Sequence, residues 1–417
     1  MIGEVRIENY KSIQKLKLEL GRVTVFIGEN GCGKSNILEA IALASAAADD
    51  KLDNEFLASR GIRVTEAQLM RSAFEIKNLV KDIEIDLKGN DEEKFSCILH
   101  NDNSPYSQWV SKIKDIVTKS SIDNVFSKLG ATEDVMSIDN SQQEASENPQ
   151  EEPLKIKQQE TLKEMLKAIP PEILSRSLNL SLNLSFKKFY ASSKLLSSLI
   201  KFTIYSPENL ALRTFEKEGQ IQPLGINGQG LFKLLKVLNS ENQEQLNEIQ
   251  KKLQLIDWFQ DLEAPPNLSS IQNSLQIKDR YLDPDLAYFD QRSSNEGFLF
   301  LLFYFALFIS DLTPNFFAID NIDASLNPRL CRRLMQELVE LAKKQDKQVI
   351  FTTHNPAVLD GLDLDDEEQR LFVIYRNQLG HTKARRILKP KTIEGQEPVK
   401  LSEAFLRGYI GGLPKNF

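Results

Sequence analysis

The chain has 417 residues, 41% of them hydrophobic and 27% charged, with 52 Lys and Arg against 59 Asp and Glu for a formal net charge of −7. This is enough chain for a full-sized core and more than one structural unit; the acidic balance argues against a protein that coats nucleic acid over its whole surface, while leaving room for a local basic groove. Three cysteines (Cys32, Cys97, Cys331) and three histidines, none at metal-ligand spacing, argue against a disulfide framework or a structural zinc site and fit a reducing cytoplasm.

The N-terminus MIGEVRIENYKSI mixes charged and apolar residues, unlike a signal or transit peptide. Glu4 to Glu8 and Leu16 to Leu20 alternate as strands, and Val23 to Ile27 is a compact run suited to a buried strand. A glycine-rich stretch follows, then a helix over SNILEAIALASAAA. Phe74 to Leu87 reads as further strand. An insertion is expected over 105–270. Within it Asp139 to Pro153, almost without apolar residues, reads as a disordered linker. Leu154 to Ile169 reads as an amphipathic helix, 178–186 as a strand and Leu231 to Leu255 as mostly helix.

Beyond about residue 275, Phe298 to Ile309 reads as a buried helix, too short at about 12 residues to span a bilayer. Phe316 to Ile319 is a short strand, Pro328 to Lys343 a helix, and Gln348 to Thr352 and Arg370 to Tyr375 two more strands. Alternating strands and helices predict an α/β domain with a mostly parallel sheet, made of 1–104 and 271–417 and interrupted by a mainly helical insertion. The expectation is a cytoplasmic protein with no membrane contact.

Gly28-Glu29-Asn30-Gly31-Cys32-Gly33-Lys34-Ser35 fits G-x-x-x-x-G-K-[ST] between a predicted strand and a predicted helix. Backbone N–H groups of such a loop curl round a β-phosphate, and the following helix turns its positive end to it. Lys34 would reach the β- and γ-phosphates and Ser35 would ligate Mg²⁺; Asn36 completes the candidate nucleotide contacts. Asp320, closing the strand Phe316 to Ile319, is a second candidate for Mg²⁺. His354, just past another apolar strand, is a candidate γ-phosphate contact. Cys32 needs only to be small. Lys383, Arg385, Arg386 and Lys389 read as a solvated basic face, and Asp363 to Glu368 as a solvated acidic loop.

These segments together resemble an ABC-class ATPase of the SMC/RecF/OLD group. VRIENYKSI with LELGRVTVFIGENGCGKSNILEAI is similar to its Walker A region, AIDNIDASLNP to Walker B with the D-loop, and FTTHNPAVLD to the switch-histidine segment. YSPENLALR (205–213) and LGINGQGLFKLL (224–235) resemble stretches of shorter bacterial members, some of them ATPase subunits of phage-defence systems such as PARIS and Septu. The resemblance implies a P-loop NTPase with an ABC-type head, ATP and Mg²⁺ as cofactors, and pairing of heads in a homodimer or higher homo-oligomer. It also implies a separate effector, expected to be a nuclease, since the sequence leaves no length for the nuclease domain of OLD proteins or for a long coiled coil.

Two positions depart from the group. Asn321 stands where a glutamate usually polarises the attacking water, and an amide cannot take a proton. Asp323 either substitutes for it or caps a helix. The signature motif is read at Arg292 to Gly297, where Ser294 or Asn295 would fill the serine role and Gly297 opens the helix; an ordinary capped loop is the alternative. The Q-loop glutamine is not located by spacing, although Gln68 lies in a suitable stretch. The expected function is a slowly hydrolysing ATP sensor and regulator in antiviral defence. The alternative is a RecF-like ATPase acting on DNA.

Overall fold

Strand β3 (Val23–Ile27) is buried along its whole length at the middle of a six-stranded sheet. The computed structural model describes residues 1–117, 193–214, 223–264, 274–283, 285, 288–389 and 399–413. The linker over 139–153, the helix over 154–169 and the strand over 178–186 lie outside them. Parallel neighbours of β3 are β12 (Gln348–Thr353) and β13 (Gln369–Arg376). Next to β12 come β11 (Phe316–Ile319) and β7 (Ile204–Tyr205), both parallel; β14 (Thr382–Ile387) closes the other edge antiparallel to β13. Near-continuous apolar runs are what a parallel sheet covered on both faces requires. No helix among the described residues is long and apolar enough to cross a membrane.

Alternation along each strand divides the interior into two cores. Val25, Phe317, Phe351 and Val373 face a core with helices α8 (Glu296–Ile309) and α9 (Pro328–Lys344). Phe26, Phe316, Ile350 and Phe372 face the other, filled by α1 (Lys34–Ala48). Every residue of α8 from Phe298 to Ile309 is buried, which explains an apolar run with no polar face. The α1 helix is equally enclosed because its other side meets a second sheet, five antiparallel strands in the order β2-β1-β4-β5-β6. These are β1 (Ile2–Tyr10), β2 (Ile13–Glu19), β4 (Ile83–Gly89), β5 (Lys94–His100) and β6 (Val110–Val117). Strands β5, β6 and β14 were not evident from the sequence: β5 mixes Lys94, Ser96 and His100 with its buried Phe95, Cys97 and Leu99, and β14 places Lys383, Arg385 and Arg386 between buried Thr382 and Ile387.

Strand expected from Phe74 begins only at Ile83. The stretch before it carries a single 3-10 turn, Ile76–Asn78, and leaves Phe74, Ile76 and Val80 exposed. The physical reason is a competing set of hydrogen bonds. Asn9 Nδ2 takes the carbonyls of Asn78 (3.0 Å) and Lys81 (2.9 Å), which a ladder would have needed.

Short helices α2 (Asn54–Ser59), α3 (Ala67–Met70) and α4 (Lys194–Leu199) border the second core. From the stretch read as an insertion, α5 (Asn209–Thr214), α6 (Leu231–Glu241) and α7 (Gln243–Leu253) join the first core through Leu212, Leu231, Leu235 and Leu246. A small sheet of β8 (Phe259–Glu263), β9 (Gln276–Asp279) and β10 (Phe289–Asp290) leads into α8. Helix α10 (Leu401–Leu406) is held by Asp360, which accepts from Ser402 N (2.9 Å) and Oγ (2.7 Å).

The acidic loop and the basic strand, read separately as solvated faces, meet one another. Arg386 pairs with Glu367 at 3.3 Å and Lys389 with Asp365, while Lys343 and Arg22 take Asp366 and Glu368.

Candidate nucleotide site

The loop between β3 and α1 is shaped by three glycines. A Cβ on Gly28 would lie 2.1 Å from the Ile374 carbonyl oxygen, and one on Gly33 would lie 2.1 Å from Thr382 Oγ1. Gly31 (φ 72°) and Gly33 (φ 108°) also hold the left-handed backbone that side chains disfavour. Gly33 is the N-cap of α1, so the unpaired N–H groups of the first turn point into the loop. Lys34 Nζ, buried, donates to the carbonyls of Gly28 (2.9 Å) and Glu29 (3.2 Å). Burial pulls its ammonium below the usual lysine range, against the neighbouring Cys32, Asp320 and Asp323. Burial likewise raises the Cys32 thiol, which makes it a poor thiolate.

Tertiary folding brings Asp320 to this loop. Ser35 Oγ donates to Asp320 Oδ2 at 2.9 Å, Thr352 Oγ1 donates to the other carboxylate oxygen, and Asp320 N donates to Tyr205 O at 2.8 Å. A hydroxyl and a carboxylate side by side, both hard oxygen donors, are a donor set that suits Mg²⁺.

Asn321 is exposed and left-handed (φ 57°), with its N–H bonded to Thr352 Oγ1 at 2.9 Å. Asparagine adopts that conformation more readily than glutamate, so the turn itself favours the residue found there. Asp323 caps no helix. The cap of α9 is Asn327, whose Oδ1 accepts from Leu330 N at 2.9 Å, whereas Asp323 Oδ1 accepts from Thr353 Oγ1 at 2.5 Å. His354 follows directly on β12. Desolvation and the Lys34 charge lower its pKa, while Asp323, Asp320 and a hydrogen bond to the Gly28 backbone oppose them. The fold thus gathers residues 28–35, 320, 323 and 354.

The segment read as a signature lies elsewhere on the head. Ser294 is 3% exposed and its Oγ has no hydrogen-bond partner among the described residues. Asn295 caps α8, its Oδ1 accepting from Phe298 N at 2.8 Å. Ser293 is the exposed hydroxyl of the turn, and Gly297 sits against the Ser325 carbonyl of the D-loop segment, where a Cβ would be 3.3 Å from it. Gln68 lines a cavity of about 750 Å³ with Asn54, Asn101, Asn103 and Trp109.

Around Asn36, expected from the sequence, stand Ser12, Thr382, Glu39, Lys11, Arg63 and Arg376, which were not. Asn36 Nδ2 donates to Ser12 Oγ (2.6 Å), Ser12 and Thr382 share a hydrogen bond (2.6 Å), and Thr382 Oγ1 donates to Cys32 O (2.9 Å). Buried Glu39 holds Arg63 at 2.5 Å and also pairs with Lys11. Arg376 Nε donates to Gly31 O at 2.8 Å. Lys11, Arg63 and Arg376 line a cavity of about 410 Å³ next to Asn36. The only signal in the sequence was Lys11-Ser12 between two strands.

The profile of the AAA ATPase domain family matches residues 1–359. Over 115 residues the chain is 31% identical to an uncharacterized protein of Methanocaldococcus jannaschii, covering 26% of this chain and 50% of that protein. Over 55 residues it is 38% identical to the DNA replication and repair protein RecF of Bacillus thuringiensis, covering 13% of this chain and 15% of that one. The chain therefore spans half or less of the length of these curated relatives. An SMC head, solved bound to the C-winged helix domain of ScpA, superimposes with a TM-score of 0.54 at 14% identity, covering 93% of this chain and 98% of that one. At that identity the likeness is one of fold, an α/β P-loop ATPase head.

Proposed function

This chain belongs to the AAA ATPase domain family, and from that premise we propose that it binds ATP with Mg²⁺, hydrolyses it slowly and uses the nucleotide state as a switch. The observation that carries the reading is the convergence of Lys34, Ser35 and Asp320, with Asp323 and His354 close by. Lys34 and the N–H groups from Gly28 to Ser35 bind the β- and γ-phosphates; Asn30 and Asn36 flank them. Ser35 and Asp320 would hold Mg²⁺, which would supply charge neutralisation for phosphoryl transfer. Asn321 cannot accept a proton, so Asp323 is the carboxylate assigned to orient and deprotonate water. His354, kept neutral at pH 7, contacts the γ-phosphate.

In this reading residues 1–104 and 271–417 form the head, together with β6, β7 and α4–α7 of the intervening stretch, which pack into its sheets and cores. Two heads close over ATP with the Ser293–Gly297 segment of each covering the other's nucleotide, and Ser293 as its exposed hydroxyl. Contacts made only with ATP set the population of the closed pair. Residues 105–270 relay that state to a separate effector, a nuclease, in cytoplasmic antiviral defence. The support is the likeness of 205–213 and 224–235 to shorter bacterial members of the group, some of which are ATPase subunits of such systems. The test is ATP turnover and ATP-dependent pairing by the purified chain, with Lys34→Ala as blank. Pairing that survives Lys34→Ala unchanged would sink the switch.

The 55-residue match to RecF supports a second reading, an ATPase that acts on DNA directly. Filter binding through a salt series separates the two, because phosphate contacts give a steep loss of affinity with salt. An adjacent nuclease gene favours defence and a replication operon favours repair.

A further inference from the structure

The two stretches YSPENLALR and LGINGQGLFKLL have no part in the phosphate site, yet the fold stacks them between Asp320 and the turn that opens α8. Tyr205 O accepts from Asp320 N at 2.8 Å. The Tyr205 ring, buried, packs edge-on to Phe317 of β11 (6.0 Å between centroids) and to Phe303 of α8 (5.8 Å). The chain then runs along the glycine turn, with Ser206 N bonded to Ile226 O (2.8 Å) and Glu208 N to Asn227 O (2.9 Å). Gly228 (φ 100°) lets that turn press on α5, since a Cβ there would be 2.5 Å from Leu212 Cδ2.

At the far end, Arg213 closes on the turn before Ser293. Its Nη1 donates to the carbonyls of Gln291 (3.4 Å) and Arg292. Gln291, fully buried, returns a bond from its Nε2 to Arg213 O at 3.2 Å and accepts from Leu275 N at 2.9 Å. The same turn is closed by Ser293 N and Ser294 N on Asp290 O and Gln291 O. Asn209 Oδ1 accepts from Arg213 Nε and fixes the guanidinium. A planar fork held at one edge and bonded to two successive carbonyls leaves the turn little freedom.

We propose that Arg213 is a positioning residue, and that Tyr205–Arg213 is a rod tying the Asp320 side of the head's own site to the turn that presents Ser293 to a second head. The role in pairing rests on the function proposed above; the clamp itself does not. Loss of the clamp frees the turn without touching the phosphate loop.

The experiment compares the full-length chain with Arg213→Ala and Arg213→Lys. Expected for Arg213→Ala is amide exchange over 292–298 faster by about tenfold or more in nucleotide-free protein. ATP affinity of the single head should stay within about twofold, while ATP-dependent pairing weakens by about tenfold or more. Arg213→Lys, which keeps the stem and a single point of contact, should fall between and serves as the folded variant if the alanine form does not fold. Unchanged exchange over 292–298, pairing that persists despite faster exchange, or ATP affinity that falls in step with pairing would each overturn the proposal. If the wild-type chain does not pair with ATP, the switch reading fails, and the exchange measurement still decides the clamp.

Discussion

Ser35 Oγ donates to Asp320 Oδ2 across 2.9 Å, joining the first turn of α1 to the end of β11 although the residues stand 285 positions apart. The contact depends on β12 alone separating β3 from β11 in the sheet. Asp320→Asn keeps the shape and removes the charge that a metal needs. The expected outcome is ATP binding that no longer responds to Mg²⁺, with turnover reduced by about 10²-fold or more. Nucleotide titration with and without chelator, alongside phosphate release, checks it; a Mg²⁺ response equal to wild type would remove Asp320 from the site.

Asn321 sits at φ 57°, so its amide is explained by backbone conformation before any chemistry is invoked. Asn321→Gly should leave stability and turnover close to wild type. Asn321→Glu should cost about 1 kcal/mol, the penalty for a side chain in that region. Denaturant melts and steady-state turnover decide the matter. A tenfold or greater fall in turnover for the glycine variant would mean that the amide itself acts.

Asp323, bonded to Thr353 at 2.5 Å and close enough to Lys34 and His354 to bias both, is the base proposed above. Asp323→Asn should lower turnover by about 10²-fold while ATP affinity holds. Equal losses in affinity and turnover would instead mark a structural role.

His354 titrates below its usual 6.5, chiefly by desolvation and then by the Lys34 charge. The unfolded chain therefore holds more protons between the folded value and 6.5. Its contribution to stability is complete above about pH 6.5 and is lost as pH falls through the folded value. The chain has three histidines (His100, His354 and His381), so an NMR titration resolves the group. Lys34→Ala should move the His354 midpoint up towards 6.5; an unmoved midpoint would show that the two do not sense each other.

Sequence alone determined the phosphate loop, because the constraint there is local. Gly28, Gly31, Gly33, Lys34 and Ser35 fall within one unbroken stretch, 28–35, and their strand-before, helix-after setting is written in the residues on either side. The buried elements β3, α8, β11 and β12 were legible for a related reason: enclosure on all sides forces continuous apolar runs. The likeness of short segments to a known group supplied the order in which Asp320 and His354 follow.

Tertiary structure decided what depends on distant partners. Strand β5 is hidden in KFSCILH because its pairing with β4 and β6 selects it. Ser294 and Asn295 looked equivalent as sequence, yet one is buried and the other caps α8, because the helix start fixes which side chain turns inward. Asp323 could be read as cap or base until Asn327 took the cap. The acidic loop and the basic strand became partners only when β13 and β14 brought them together. In each case the deciding energy is a contact between residues far apart in the chain, which local propensity does not encode.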